Sequence, residues 1–174
     1  MIDSFYKAFE DRFRGSRDEV RQRLDVYSPF LEAIRPFHRK LIVLDLGCGR
    51  GEWLQFLKEL NFEAIGVDLD PEMVKECDNL GMDVRCEDVL QALKSFRSKS
   101  LSLVTGFHIA EHLSFEELHQ VVGEAHRALK AGGLLILETP NPENISVASM
   151  NFYLDPTHQK PLPPKLLSFL AEFS

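Results

Sequence analysis

Residues 43–52 decide the fold class, and they read Val43-Leu44-Asp45-Leu46-Gly47-Cys48-Gly49-Arg50-Gly51-Glu52. An apolar run of strand length ends in closely spaced glycines, and a helical pattern begins at once. Glycines at such a point allow a tight turn and let a ligand approach the backbone, while the first turn of the helix offers free N–H donors. The stretch therefore predicts a ligand-binding turn between a buried strand and a helix.

The chain on either side of this turn alternates between strand and helix patterns. Strands are predicted over 41–46, 62–67, 83–86, 101–107 and 134–137. Asp70-Pro71 and the capping box Ser114–Glu117 begin two of the intervening helices, and Gly132-Gly133 is expected to end the helix after the fourth strand. Strands joined by helices of this length form right-handed crossovers and a sheet covered on both faces. We therefore predict a doubly wound α/β domain with a mostly parallel sheet.

The two ends of the chain differ from this alternating region. Residues 1–38 read as helices and form a predicted N-terminal helical cap, whereas residues 39–174 form the predicted core. The capping box Ser16–Glu19 begins one of the cap helices. Residues 139–164, rich in proline and asparagine, are predicted to be a long loop before a helix over 166–173. Loops of this length in compact domains are typical of lids or binding segments.

Composition limits the function classes. The chain has 174 residues and a formal net charge of −7, which fits one domain and argues against a sequence-blind nucleic-acid binder. No apolar run reaches the length of a membrane span, and the N-terminus lacks the pattern of a signal peptide. The three cysteines, Cys48, Cys77 and Cys86, have spacings that favour neither a disulfide framework nor a zinc site. The expected location is the cytoplasm.

Charges near the turn indicate which ligand it binds. A dinucleotide fold has the spacing G-x-G-x-x-G, but its third glycine would fall at Glu52, and Gly51 comes one position early. Glu52 and Asp45 would repel a pyrophosphate, which argues against a nicotinamide cofactor and suits a ligand with positive charge. Asp68 ends the second strand about 20 residues after Gly47, where a carboxylate binds ribose hydroxyls.

These features together resemble the class I, Rossmann-like S-adenosylmethionine-dependent methyltransferases. The resemblance covers roughly residues 39–140 and rests on four segments in the family's order: 45–51, 66–68, 86–88 and 107–112. It implies S-adenosyl-L-methionine as the cofactor. The family's sheet has seven strands, so a C-terminal strand pair is expected to be missing here. The open sheet edge is then expected to pair with a second copy or a partner chain.

The resemblance also implies roles for individual residues. The backbone around Gly47 and Gly49 would hold the methionine part, with Asp45 facing its ammonium group and Asp68 on the ribose. Asp88 and the Val89 backbone would bind the adenine, although Asp88 also suits the N-cap of the next helix. The remaining residues expected in the cofactor pocket are Cys48, Gly51, Leu69 and His108.

The run His108-Ile109-Ala110-Glu111-His112 matches the H-x-x-E-H pattern of some zinc proteases. It directly follows a strand instead of lying on a helix, so the protease interpretation is disfavoured and no metal is predicted. The resemblance puts His112 near the methyl acceptor, with packing against a loop as the structural alternative. For a hydroxyl acceptor, the candidate bases are His112, Asp155 and His158.

The acceptor itself is predicted from weaker signals. Residues 139–144 and 151–158, with residues 13–17, look similar to methyltransferases associated with bacterial surface-polysaccharide assembly, which implies a hydroxyl or phosphate on a sugar or glycan. A small metabolite is the next candidate. Two other functions stay open: a regulatory module that binds the cofactor without transfer, and a nicotinamide-dependent oxidoreductase. An N-terminal arginine cluster either binds an acidic acceptor or forms a solvated helix face: Arg12, Arg14, Arg17, Arg21 and Arg23.

Overall fold

The computed structural model describes Arg12 and residues 15–174, so the helical pattern expected over residues 2–13 lies almost wholly outside the described residues. Five strands form one parallel sheet in the order β3-β2-β1-β4-β5. The strands are β1 (Ile42–Leu46), β2 (Glu63–Asp68), β3 (Asp83–Cys86), β4 (Leu101–Phe107) and β5 (Leu129–Glu138). The predicted doubly wound α/β fold is confirmed.

Helices connect the strands and cover the sheet. They are α1 (Arg17–Leu24), α2 (Ser28–Ile34), α3 (Glu52–Glu59), α4 (Pro71–Asn79), α5 (Val89–Ser95), α6 (Phe115–Ala128), α7 (Ile145–Ser149) and α8 (Pro164–Phe173). Short 3₁₀ turns follow α1, α2, β4 and α7. Both predicted capping boxes are confirmed, because Ser16 with Glu19 begins α1 and Ser114 with Glu117 begins α6. None of the described helices combines the length and apolar character needed to cross a bilayer.

The strand order sets the position of the site. From β1 the chain builds outward through β2 to β3, then returns to add β4 and β5 on the other side of β1. The connection that follows β1 therefore runs toward one edge of the sheet, and the connection that follows β4 runs toward the other edge. A crevice opens at such a reversal, and ligands of open α/β sheets bind there.

The core lies on both faces of the sheet. Along β1, Val43, Leu44 and Leu46 are fully buried, as expected for a central parallel strand. Because successive side chains point to opposite faces, Val43 and Leu44 enter different apolar clusters. The cluster around Val43 includes Leu31 of α2 and Trp53 of α3, so the N-terminal helices cover one face. The division of the chain at residue 38 stays a prediction.

Two segments differ from the sequence prediction. Gly132-Gly133 do not end a helix, since α6 stops at Ala128 and both glycines belong to β5. A Cβ on Gly133 would lie 3.0 Å from the carbonyl oxygens of Lys130 and Ser102, so glycine there lets an irregular part of the strand approach β4 closely. The predicted loop over 139–164 contains α7 and a 3₁₀ turn, because Asn144 caps α7 with its side chain.

Candidate functional site

A cavity of about 540 Å³ opens at the carboxyl ends of the central strands. Its lining comes from the glycine turn, the ends of β2, β3 and β4, and the segment after β5. The lining residues are Arg23, Gly47, Gly49, Asp68, Leu69, Asp70, Met73, Asp88, Val89, Phe107, His108, Ile109, His112, Leu113, Pro140, Asn151, Leu154, Asp155 and His158. A smaller cavity of about 110 Å³ shares Gly47 and His108 with it and reaches toward Asp45 and Cys48.

The glycine turn forms the floor between the two cavities. The N–H groups of Gly47 and Cys48 both donate to Val67 O at 2.9 Å, which ties the turn to β2. Gly47 has a φ of +69°, and a Cβ there would lie 3.1 Å from Ile109 Cδ1. Gly51 lines neither cavity; a Cβ on it would lie 2.6 Å from Met82 Sδ, so this glycine serves the packing of α4 and β3 against the turn.

Two carboxylates follow β2 and β3. Asp68 accepts hydrogen bonds from Gly49 N at 2.8 Å and from Asp70 N at 2.9 Å. A carboxylate has about four acceptor positions, so Asp68 keeps capacity for further donors. Asp88 accepts from Leu90 N and Gln91 N at 3.0 Å through one oxygen, which confirms the predicted N-cap alternative. Its side chain also lines the cavity.

The small cavity contains a buried carboxylate held by side chains. Asp45 is 2% exposed and accepts a 2.7 Å hydrogen bond from Thr105 Oγ1, which in turn accepts from Trp53 Nε1 at 3.0 Å. Arg23 of α1 lines both cavities and brings a positive charge to their junction. This region therefore offers separate partners for an ammonium group and a carboxylate.

His108 lies between two carboxylates at the end of β4. Its Nδ1 is 3.1 Å from Glu111 Oε1, and its Nε2 is 3.2 Å from Glu138 Oε1. The hydrogen bonds to Glu111 and Glu138 raise the pKa of His108 to about 9, so the ring is an imidazolium at neutral pH. The Tyr27 hydroxyl also donates to Glu138, which links the N-terminal helices to the cavity wall. The φ of His108 is +57°, in the left-handed region that few residues other than glycine adopt.

The three predicted catalytic residues, His112, Asp155 and His158, lie together in the wall of the larger cavity. Thr157 Oγ1 donates to Asp155 Oδ1 at 2.6 Å and lies 2.9 Å from His112 Nδ1. The hydroxyl has one proton and a carboxylate only accepts, so His112 Nδ1–H donates to Thr157 and Nε2 keeps the lone pair. The rings of His112 and His158 pack edge to face with centroids 4.7 Å apart. Burial lowers the pKa of His112 and so favours its neutral ring.

The histidines of the H-x-x-E-H run have separate partners. His108 uses both ring nitrogens on carboxylates, whereas His112 is bound to Thr157. The two histidines therefore do not form the pair of zinc ligands that the protease pattern requires. In the N-terminal arginine cluster, Arg17 pairs with Glu76 and Arg21 with Glu59, as expected for a solvated face.

Sequence reasoning did not single out Arg23, Glu138 or Thr157. Arg23 had the same pattern as its neighbouring arginines, and only the direction of α1 brings it to the cavities. Thr157 comes two residues after Asp155 in the sequence, and an Asp-x-Thr turn was the available signal for their hydrogen bond.

Comparison with known proteins decides the family. A family profile described as "Methyltransferase domain" matches residues 44–137. A crystal structure of a SAM-dependent methyltransferase from Archaeoglobus fulgidus superposes with a TM-score of 0.87 at 39% sequence identity, covering 97% of this chain and 73% of that one. The chain belongs to the S-adenosylmethionine-dependent methyltransferase family. Its cofactor is S-adenosylmethionine.

Curated relatives of this methyltransferase include an uncharacterized methyltransferase, YodH, of Bacillus subtilis. It is 31% identical over 64% of this chain and 50% of its own length. The ubiquinone biosynthesis O-methyltransferase of Xanthomonas oryzae pv. oryzae is 30% identical over 57% of this chain and 43% of its own length. The chain thus spans at most about half the length of these curated relatives.

The residues at the cavity fit the cofactor of the family. The backbone of Gly47 and Gly49 is open to the cavity, and Asp68 and Asp88 lie along the same wall. S-adenosylmethionine carries an ammonium, a carboxylate and a sulfonium. Asp45 and Arg23 both line the small cavity, and their charges are opposite to those of the ammonium and the carboxylate.

Proposed function

We propose that this methyltransferase transfers a methyl group to a hydroxyl oxygen of a small acceptor, with a sugar or glycan hydroxyl as the preferred class. The observation that carries the proposal is the cluster at one end of the cavity, where the neutral ring of His112 keeps its Nε2 lone pair beside Asp155 and His158. These groups accept hydrogen bonds. They therefore suit a methyl acceptor that can donate a hydrogen bond, such as a hydroxyl group.

At the cofactor end, we assign roles to the residues that line the two cavities, and the role of Arg23 is added to those predicted from the sequence. The backbone of Gly47, Cys48 and Gly49 holds the methionine part, Asp45 faces its ammonium group and Arg23 pairs with its carboxylate. This pairing is charge-assisted and fixes one end of the cofactor. The cofactor supplies a methyl group on a positively charged sulfur.

The adenosine part lies on the wall formed by the ends of β2 and β3. Asp68 accepts from the ribose hydroxyls with the capacity left by its two backbone hydrogen bonds. Leu69 and Val89 cover the adenine, and Asp88 lies at its edge. His108, fixed by two carboxylates, closes the cavity between the two ends. Gly51 acts through the packing of the turn, outside both cavities.

At the acceptor end, the chain's own residues bind and orient the hydroxyl. Asp155 and Thr157 hold His112 with its Nε2 lone pair available, and His158 packs against the same ring. Alignment of the acceptor oxygen with the methyl carbon is a proximity effect and needs this rigidity. A phosphate acceptor is disfavoured, because Asp155 and the buried Glu111 would repel its negative charge.

The preference for a sugar or glycan rests on the resemblance of residues 13–17 and 151–158 and on the polar groups at the cavity. Asn151, Asp155 and His158 line it and offer partners for several hydroxyls. A small metabolite with one hydroxyl would use fewer of these groups. The ubiquinone relative acts, by its name, in O-methylation, which agrees with an oxygen acceptor.

The test combines binding and turnover on the same purified protein. Calorimetry with S-adenosylhomocysteine should give one site per chain, and Asp68→Ala should weaken it. Methylation is then measured with panels of sugars, glycans, phosphorylated sugars and small phenols. Hydroxyl methylation supports the proposal, and methylation confined to phosphate overturns it. Cofactor binding without any methylation favours the regulatory module.

A further inference from the structure

The acceptor end contains a group of potential metal ligands, hereafter the Glu111 cluster: Glu111, His112, Asp155 and His158. A carboxylate oxygen of Glu111 and one ring nitrogen each of His112 and His158 lie within 4.8 Å of one another. Asp155 Oδ2 lies 3.8 Å from His158 Nε2. The members come from the turn after β4 and from the segment after α7, so the fold brings two distant parts of the chain together here.

The orientation of His158 is fixed by the backbone. Its Nδ1 lies 2.7 Å from Phe152 O, and since a carbonyl only accepts, Nδ1 carries the proton. Nε2 then faces Glu111 Oε1 at 3.9 Å and Asp155 Oδ2 at 3.8 Å, and it is the nitrogen that carries the lone pair in this tautomer. Three electron-rich atoms thus face one another. Metal-binding histidines show this arrangement, with the second nitrogen held by a carbonyl or carboxylate.

The ring of His112 is oriented in the same way, but its partner is the side chain of Thr157. Thr157 Oγ1 accepts from its Nδ1–H and donates to Asp155, which leaves Nε2 as the nitrogen with a lone pair. The backbone also fixes this segment, because Gln159 Nε2 donates to His112 O at 2.9 Å and Gln159 N donates to Glu111 O at 2.8 Å. Both imidazoles are therefore oriented without using the nitrogen that a cation would need.

The buried carboxylate provides an independent observation. The Glu111 side chain is 0% exposed, and its Oε1 is 3.1 Å from His108 Nδ1. Its Oε2 is buried and has no close hydrogen-bond partner among the described residues, although the Thr139 hydroxyl interacts with this carboxylate and helps to lower the pKa of Glu111. A buried carboxylate oxygen without a partner costs free energy, and a cation would compensate for that cost.

We propose that Glu111, His112 and His158 bind a divalent transition-metal cation, with Asp155 at its edge. Two imidazoles and carboxylates suit manganese, iron or zinc better than calcium, which prefers oxygen ligands alone. Neighbouring ligand atoms of such a cation are about 3.0–3.4 Å apart. From separations of 3.8–4.8 Å, the side chains would therefore have to close by roughly 0.5–1.5 Å around the cation. This assignment departs from the sequence prediction of no metal.

The consequence for chemistry rests on the proposed O-methylation. A cation held by Glu111, His112 and His158 would have at least one coordination position left for a further ligand. His112, Asp155 and His158 line the cavity from which an acceptor would reach it. An acceptor hydroxyl bound to the cation becomes more acidic and is held in a fixed position. His112 and His158 would then be ligands of the cation, and the proton of the acceptor hydroxyl would pass to solvent when the methyl group is transferred.

The binding test uses manganese and zinc chlorides with the full chain after treatment with a chelator and dialysis. Calorimetry should give one site per chain for the wild type. Glu111→Gln and His158→Asn should each weaken it by at least about tenfold, and Thr157→Val, which only orients His112, by about tenfold. His119→Asn is the matched control, because His119 lies exposed on α6 and should leave the affinity unchanged.

A second readout needs no variant. Manganese chloride should raise the melting temperature of the wild-type protein, since a cation that binds the folded state stabilises it. No binding of either metal, or equal binding by the wild type and Glu111→Gln with S-adenosylhomocysteine affinity intact, overturns the proposal.

The metal and the methylation proposals fail separately. Specific metal binding without methylation of any hydroxyl would support the metal site and contradict the proposed O-methylation. Full methylation by the chelator-treated protein, with no metal bound, supports the proposed function and removes the site.

Discussion

The two ends of the cavity are built differently. The cofactor end consists of backbone groups and strand-end carboxylates that follow one another along β1, β2 and β3, from Asp45 to Val89. The acceptor end consists of side chains from 108–112 and 151–158, which α6, β5 and α7 separate in the chain. A parallel sheet dictates the first arrangement, whereas contacts between irregular segments produce the second. Substitutions should therefore separate cofactor affinity from turnover.

The largest expected effect is on turnover at the acceptor end. His112→Asn should lower kcat/KM by at least about 100-fold, because the acceptor hydroxyl loses the group that binds or deprotonates it. Affinity for S-adenosylhomocysteine, measured by calorimetry, should stay at the wild-type value. His119→Asn is the control for both quantities. Equal losses of affinity and turnover would show that the two ends are one functional unit.

Asp68→Ala tests the cofactor end. We expect S-adenosylhomocysteine to bind about 100-fold more weakly, since the ribose loses its acceptor and the N–H groups of Gly49 and Asp70 lose theirs. Calorimetry gives the affinity, and circular dichroism checks folding. Asp78→Ala, on the exposed side of α4, is the control. An unchanged affinity would remove Asp68 from the site.

Arg23→Met tests whether α1 belongs to the cofactor end. The loss of one charge-assisted hydrogen bond to the methionine carboxylate should weaken S-adenosylhomocysteine binding by about tenfold. Arg21→Met removes a neighbouring arginine whose partner is the exposed Glu59, and it should leave the affinity unchanged. Similar affinities for the two variants in calorimetry would place α1 outside the cofactor site.

The smallest effect concerns stability near the acceptor end. Ser114→Ala removes the N-cap of α6, which directly follows the turn that contains His112, and should lower the free energy of unfolding by about 1 kcal/mol. Urea denaturation measures it. Ser168→Ala, an exposed position within α8, should leave stability nearly unchanged. A loss as large in Ser168→Ala would mean that capping does not explain the effect.

Particular residues show how much of the structure could be predicted from the sequence. Asp68 was placed correctly at the end of β2 because the apolar run before it has strand length and strand ends meet at one edge. Asp88 had two interpretations, and the structure shows the cap together with a position in the cavity. Gly132-Gly133 were misplaced because glycine marks both helix ends and strand irregularities. The partner at the open β5 edge, the cytoplasmic location and the polysaccharide branch stay predictions.

By itself, the sequence determined the order of strands and helices, the glycine turn and the cofactor class. Local periodicity and backbone conformation govern the first two features, which depend on neighbouring residues, whereas the cofactor class followed from the family resemblance. Only the tertiary structure decided that Thr157 orients His112, that Phe152 orients His158 and that Arg23 reaches the cavity. These contacts join segments far apart in the chain. Their free energy depends on the packing of the whole sheet, which no local pattern encodes.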